Sequence, residues 1–577
     1  MASRHERRLD LVSLPARLLR ASPALVAGLI LVPVLAGLAG TIAPAFGLFA
    51  PEGPGLQAFA ALWGWPGLGR AAALSLFTGF LSTALALGLT ILITAALHDR
   101  PVFGLLRRAI APLLALPHAA AALGLAFLIA PSGWIVRALS TWATGWSAPP
   151  DLLILNDPYG LSLTLGLVAK ELPFLMLVML AALPQGPDLP QGPALRSLQL
   201  ARSMGYGDIA GFCLVVLPGV YPALRLSVLA VLTYAMTSID MGLVLGPTRP
   251  PGLAVQITLW MSDPQLSDTA RAAAAALLQL GLTVFALILW RGVEHSMRAL
   301  CTKMSFQGQR LTALDHMRPL IRTLALTLTL LLIAAILALA LWSVAGLWPF
   351  PALLPESLTL QVWTLAAPDL GRLSLTTLAV ALTATALAFT LTLAVLQAEY
   401  LYALPPLSTT LLYLPLILPQ VCFLPGLATL TLLTGASGGI LSVTLAHLLF
   451  VLPYVYFALS GPFRAWDARL AVVAATLGTP TARTFWRLRL PMLTAPAATA
   501  LAIGLAVSVG QYLPTLLIGG GRVSTLTTEA LALASGGNRR LTSAFGLLQT
   551  FWPMAGFAAA LFLPTLIARA RLAKAVA

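Results

Sequence analysis

Long apolar runs separated by short polar breaks dominate this chain. Stretches of roughly 20 apolar residues, the length a helix needs to cross a hydrocarbon core, recur about twelve times. They centre on residues 23–46, 71–97, 109–130, 161–183, 220–245, 270–290, 324–347, 373–397, 407–433, 440–459, 493–518 and 543–567. Gly and Pro are frequent inside them, which would argue against helix in water. In a bilayer, neighbouring helices can satisfy the freed backbone groups, so the helical reading stands. The pattern predicts an all-α, polytopic membrane protein of about 12 transmembrane helices. The first run follows a basic start, MASRHERRLDLVSLPARLLR, and is longer than the 7–15-residue core of a secretory signal. A retained anchor is expected.

Composition agrees and adds a direction. Hydrophobic residues make up 59% of the 577 positions and charged residues 9%, with mean hydropathy +0.91, which excludes an ordinary soluble protein. The formal charge of +15 would point to nucleic acid in a soluble domain. With the N-terminus placed in the cytoplasm and sides alternated through twelve spans, external segments balance and the whole excess falls on the cytoplasmic side. That is the bias membrane topology itself requires, so no nucleic-acid partner is implied; the lipid bilayer is the partner that the charge reads. Cys213, Cys301 and Cys422 are far apart and fit no disulfide or metal spacing.

The chain also repeats itself. LSLTLGLVAKELP at 161–173 aligns without a gap on LSVTLAHLLFVLP at 441–453, STALAL at 82–87 on ATALAF at 384–389, and LPH at 116–118 on LPQ at 418–420. The matched order never changes, and six spans per copy give both copies the same orientation: two parallel six-helix repeats. The expected division is 1–69 (N-terminus, first span and external loop), 70–290 (first repeat unit), 291–370 (basic linker, seventh span and external loop), 371–568 (second unit) and 569–577 (basic tail). Trp134, Trp142 and Trp146 in the external loop 131–159 are spaced as a helix lying in the membrane interface would space them, or as simple interfacial anchors.

One repeated segment is polar and falls between the fourth and fifth span of each copy. MGYGDIAGFCLVVLP, 204–218, and LGTPTARTFWRLRLP, 477–491, keep Gly, Phe, an apolar residue and Leu-Pro in register. Residues 196–204 can form a short helix that Gly205 ends in the left-handed conformation, Asp208 can cap a second short stretch, and Pro218 suits the first turn of the next span. The product is a compact knob carrying an exposed Phe, with Arg483, Arg487 and Arg489 around the second one. Two basic, aromatic knobs of equal orientation suit docking to a partner with two equivalent faces.

The pattern resembles the signature loop of type I ATP-binding-cassette importer permeases: Glu-Ala-Ala, three residues, Gly, six residues, Phe, two residues, Ile, one residue, Leu-Pro. Ala201, Gly205, Phe212, Leu217 and Pro218 match in the first copy, and Ala474, Gly478, Phe485, Leu490 and Pro491 in the second; Gln199 and Val472 stand where that pattern has Glu. The resemblance implies a coupling loop gripped by an ATPase subunit, two such subunits per chain, and a periplasmic or extracellular solute-binding protein. It covers nearly the whole chain, as two permease domains fused head to tail, in the manner of thiamine and ferric-iron permeases. The chain itself carries no phosphate-binding loop, since none of Lys170, Lys303 and Lys574 follows a Gly. The implied protein is therefore a non-enzymatic permease of the inner (plasma) membrane with both termini cytoplasmic, without cofactor or metal of its own, ATP being bound by its partner.

Lys170 and Glu171 fall near the middle of a span, where each charge costs about 2.5–3.5 kcal/mol on insertion scales. Each either faces a translocation path or pairs with Asp240 or Arg225. Asp240, with Gln511 and Tyr512 near the corresponding place in the second copy, completes the path candidates; His118 and His447 read as satisfied structural histidines. Thiamine or a related small organic solute is the first substrate reading and ferric iron the second. An ion-coupled secondary transporter would show the same span count without needing paired knobs.

Overall fold

The computed structural model describes residues 14–48, 53–183, 193–263, 265–436 and 438–576. The basic start at residues 1–13, and Ala577 of the basic tail, lie outside the described residues. Eighteen helices carry the discussion, in chain order. The first nine are α1 (Leu14–Ala45), α2 (Leu68–Leu97), α3 (Pro101–Ala115), α4 (His118–Ile129), α5 (Leu161–Ala182), α6 (Pro193–Ser203), α7 (Leu217–Thr237), α8 (Ile239–Leu245) and α9 (Leu266–Phe306). The second nine are α10 (Arg318–Val344), α11 (Gln361–Tyr402), α12 (Thr409–Ile417), α13 (Gln420–Leu433), α14 (Ile440–Arg464), α15 (Arg469–Thr476), α16 (Thr494–Val509), α17 (Leu513–Gly519) and α18 (Arg539–Val576). Among the described residues there is no strand, only an isolated bridge between Ala345 and Leu358. Among the described residues ten helices are long and apolar enough to cross a membrane, or up to twelve if each of two bent pairs counts as one span, which makes this an all-α polytopic membrane protein.

Four of the runs expected as single spans are broken. Pro117 separates α3 from α4, and Pro419 separates α12 from α13, a pair bent by 86°. Proline disfavours helix in the residue before it and lacks the amide to continue the ladder, so Leu116 and Leu418 turn extended. Ser238 separates α7 from α8, and 510–512 separate α16 from α17. Each break leaves backbone amides and carbonyls unpaired within the bundle, where side chains must meet them.

The same helix crossing occurs twice. α1, first in the chain, packs along α13, and α10 packs along α4. α4 and α13 begin at the matched LPH and LPQ segments, so each early helix embraces the far half of the molecule. Both crossings are close because glycine faces backbone: a Cβ on Gly40 would sit 2.5 Å from the Gly426 carbonyl oxygen, and one on Gly124 2.6 Å from that of Ala335. The Gly426 amide also donates to Thr41 Oγ1 at 3.1 Å.

At the end of the bundle where α18 begins, Arg539 reaching Ser132, the interfacial tryptophans do not share one helical face. Residues 134–144 form only a short helix and a π-turn, ended by Gly145 at φ +65°. Trp134 is turned inward, its Nε1 donating to the Leu353 carbonyl at 3.2 Å, whereas Trp142 is exposed. Arg137 organises this corner: it donates to the Pro349 carbonyl at 2.8 Å and lies 4.9 Å from the Trp348 ring. A buried guanidinium needs several acceptors, and the loop folds around it.

Candidate coupling and translocation sites

Both knobs are built alike, on the end of the bundle where α9 meets α10. In the first, α6 ends and the chain reverses at Gly205, φ +87°, with the Tyr206 amide returning to the Ala201 carbonyl at 3.1 Å. In the second, Gly478 takes φ +74° and the Thr479 amide returns to the Ala474 carbonyl at 2.9 Å. The alanine is small for a reason in the first knob: a Cβ on Gly211 would stand 3.3 Å from that of Ala201, so the two short helices touch here. Each knob then widens into a five-residue π-helical turn, Phe212–Val216 and Phe485–Arg489, before Leu-Pro opens the next helix. Pro218 and Pro491 lack the amide that would close an ordinary turn, which lets the preceding turn widen.

The exposed phenylalanine expected from sequence is not found in the first knob. Phe212 is 0% exposed, packed with Leu198 and Ile209 into the main core, and Phe485 is half-buried, edge-on to Trp486. An aromatic ring at the root of a π-turn points back between the helices and gains more from burial than from water. What the second knob presents outward is Trp486, 63% exposed, with Leu477, Val472 and Val473 and the exposed Arg483 and Arg487. Arg489 faces inward instead. Its guanidinium lies 3.7 Å from the Phe463 ring centroid and donates to the Phe463 carbonyl at 2.9 Å.

Asp208 does not cap the helix it begins; its carboxylate is held by Arg202 and Arg318. Arg202 also reaches Asp99, 3.1 Å away, on the turn after α2. Burial pushes the Asp99 carboxyl up, but His98 and Arg202 outweigh it and hold it below the ordinary value.

The membrane-embedded candidates gather at the helix breaks. Lys170 Nζ donates to the carbonyls of Leu113 and Leu114, at 3.0 and 3.4 Å, meeting the orphan acceptors where α3 stops. Glu171 faces His118, Oε1 to Nε2 3.1 Å, and the His118 ring lies 4.6 Å from that of Tyr234. Tyr234 donates to Asp240 at 3.1 Å, and Asp240 also accepts from Ser238 Oγ and the Met241 amide, both at 3.0 Å, at the start of α8. One chain of contacts thus runs Glu171–His118–Tyr234–Asp240. Lys170 pairs with neither Asp240 nor Arg225; Arg225 bonds Glu294 at 3.1 Å. Gln511 and Tyr512, half-buried, lie at the α16–α17 break, whose Gly510 approaches Pro117 across the two halves. His447 is the structural histidine expected, bonded to Ser508 and Thr515 at 2.8 Å each. His118 is satisfied too, by Glu171, and its ring adjoins that of Tyr234, which reaches Asp240. Sequence reasoning did not foresee these partners, although the Leu-Pro before His118 was the available signal of a break.

Interrupted helices that place charged and aromatic groups inside a polytopic bundle are an arrangement that membrane transport proteins use. The family described as "Binding-protein-dependent transport system inner membrane component" matches residues 398–576. The chain is 30% identical over 504 residues to the inner membrane ABC transporter permease protein YnjC of Escherichia coli (strain K12), covering 86% of this chain and 88% of that protein. It is 34% identical over 92 residues to the molybdenum transport system permease protein ModB of Mycobacterium bovis and of Mycobacterium tuberculosis, 16% of this chain and 35% of theirs. No solved structure matches. The chain belongs to the ABC transporter permeases of the binding-protein-dependent type and is a multi-pass inner membrane protein. That membership sets aside the ion-coupled secondary transporter.

Proposed function

We propose that this chain is two permease domains in one polypeptide, 70–290 and 371–568, which together form the path of an importer driven by two separate ATPase subunits and fed by an external solute-binding protein. The observation that carries the reading is the twin knob: two left-handed glycines, two π-turns and two Leu-Pro helix starts at one end of the bundle. In this reading Ala201, Gly205, Phe212, Leu217 and Pro218 shape one lever and Ala474, Gly478, Phe485, Leu490 and Pro491 the other. Both levers and both termini face the cytoplasm, where the ATPase closes on ATP and rocks the halves between inward and outward access.

Glu171 and Asp240, with His118 and Tyr234 between them, and Gln511 and Tyr512 opposite, line the path. Lys170 supports the wall by holding α3. Two carboxylates interleaved with aromatic rings favour a small organic cation, with thiamine or a related compound the first reading and ferric iron the second.

The test is purification of the chain co-expressed with a candidate ATPase subunit. Two ATPase subunits per chain and solute-stimulated turnover are expected. Single cysteines placed at Met204 and Leu477 should react with a membrane-impermeant maleimide only in inverted vesicles; labelling in intact cells would overturn the proposed orientation.

A further inference from the structure

The segment between the halves, read from sequence as a plain linker, divides into two parts. Its first part simply extends α9 to Phe306, and its second, 309–318, folds back onto the first knob. The Arg310 carbonyl accepts from the Gly207 amide at 3.2 Å. Asp315 then accepts from the amides of Asp208 and Ile209, at 3.0 and 3.2 Å, and Arg318 closes the ring by pairing with both Asp208 and Asp315. Ile209 is buried and Asp208 half-buried, and Asp315 supplies the acceptor that the first amides of that helix lack within it. The contact is close enough that a Cβ on Gly207 would stand 3.1 Å from the Thr312 backbone. It also holds Leu311 at φ +45°, a left-handed conformation that a leucine keeps only when its surroundings enforce it.

Among the described residues the second knob has no such brace. The corresponding residues Thr481, Ala482 and Arg483 are exposed, and nothing stands within 4 Å of a Cβ on Gly478, where the first knob has Arg310 against Gly205. We infer that Asp315 is a positioning residue for coupling: the 309–318 turn is a working part of the first lever, which transmits force only while capped, whereas the second lever stands alone. The inference rests on the reading of the knobs as ATPase docking elements.

Met204 and Leu477 are the exposed residues immediately before the two glycines. In a chain with Cys213, Cys301 and Cys422 replaced, Met204→Cys and Leu477→Cys, each carrying a benzophenone maleimide, report photo-crosslinking to the bound ATPase separately at each knob. Asp315→Ala should lower the Met204 yield relative to the Leu477 yield about fivefold, the weight of a lost helix cap, and Asp315→Asn, which keeps an acceptor, should restore more than half of it. A change that merely destabilised the protein would lower both yields together. An unchanged ratio, a parallel fall, or Asn no better than Ala overturns the inference while leaving the docking reading intact. Absence of adduct at either position in the parent chain removes the docking reading and the inference with it.

Discussion

The two knobs share a backbone and differ in what surrounds it. The first is buried at its aromatic root, tied to Asp99 through Arg202 and covered by the 309–318 turn; the second carries Trp486 and two arginines into the open. A pattern of Gly, Phe and Leu-Pro therefore specifies a shape, and its neighbours specify how rigidly that shape is held. The braced knob is held by its own chain, and the bare one leaves Trp486, Leu477, Val472 and Val473 exposed.

Phe212→Asp should have the largest effect, because it puts a charge where 0% of the side chain meets solvent. It should remove folded protein from the membrane fraction, as read by detergent-stable monomer on size exclusion. Phe485→Asp, half-buried, should leave more of it, and equal yields for the two would erase the contrast drawn here. Trp486→Ala comes next, with a loss of solute-stimulated ATP turnover of about tenfold or more and an unchanged melting temperature, since an exposed aromatic anchor contributes to binding rather than to folding. Unaltered turnover would show that the open knob is not gripped through its tryptophan.

Within the membrane, Glu171→Gln should reduce transport more than ATPase binding, measured as vesicle uptake against co-purification, because Glu171 is buried within α5, outside either knob, and touches His118. A parallel loss of both would place Glu171 in the fold rather than the path. Asp99→Ala should have the smallest effect. The Asp99 carboxyl is held below its unfolded value, so its contribution is present above that value and is lost as pH falls through the lowered one. Both partners are more than a third exposed, so less than about 1 kcal/mol is involved, and the variant should melt slightly lower than the parent at neutral pH but alike in acid.

Much of this was readable in advance. The spans, the repeat and the left-handed glycines followed from apolar run length, matched segments and the φ a turn demands. Lys170, Glu171 and Asp240 stood out by cost alone. The partners were not readable: Glu171 meets His118 from 53 positions away, and Asp315 caps a helix 107 positions before it.

By itself the sequence settled the solvent in which this chain folds and the order of its elements, since hydropathy and local backbone preference act over a few residues. Only the tertiary structure decided that Phe212 turns inward, that four spans break, two of them at prolines, with Lys170, Glu171 and Asp240 at the α3–α4 and α7–α8 breaks, and that the connecting turn is a brace. Those outcomes depend on which distant backbone amides and carbonyls would otherwise go unpaired, and such pairing leaves no local trace in the chain.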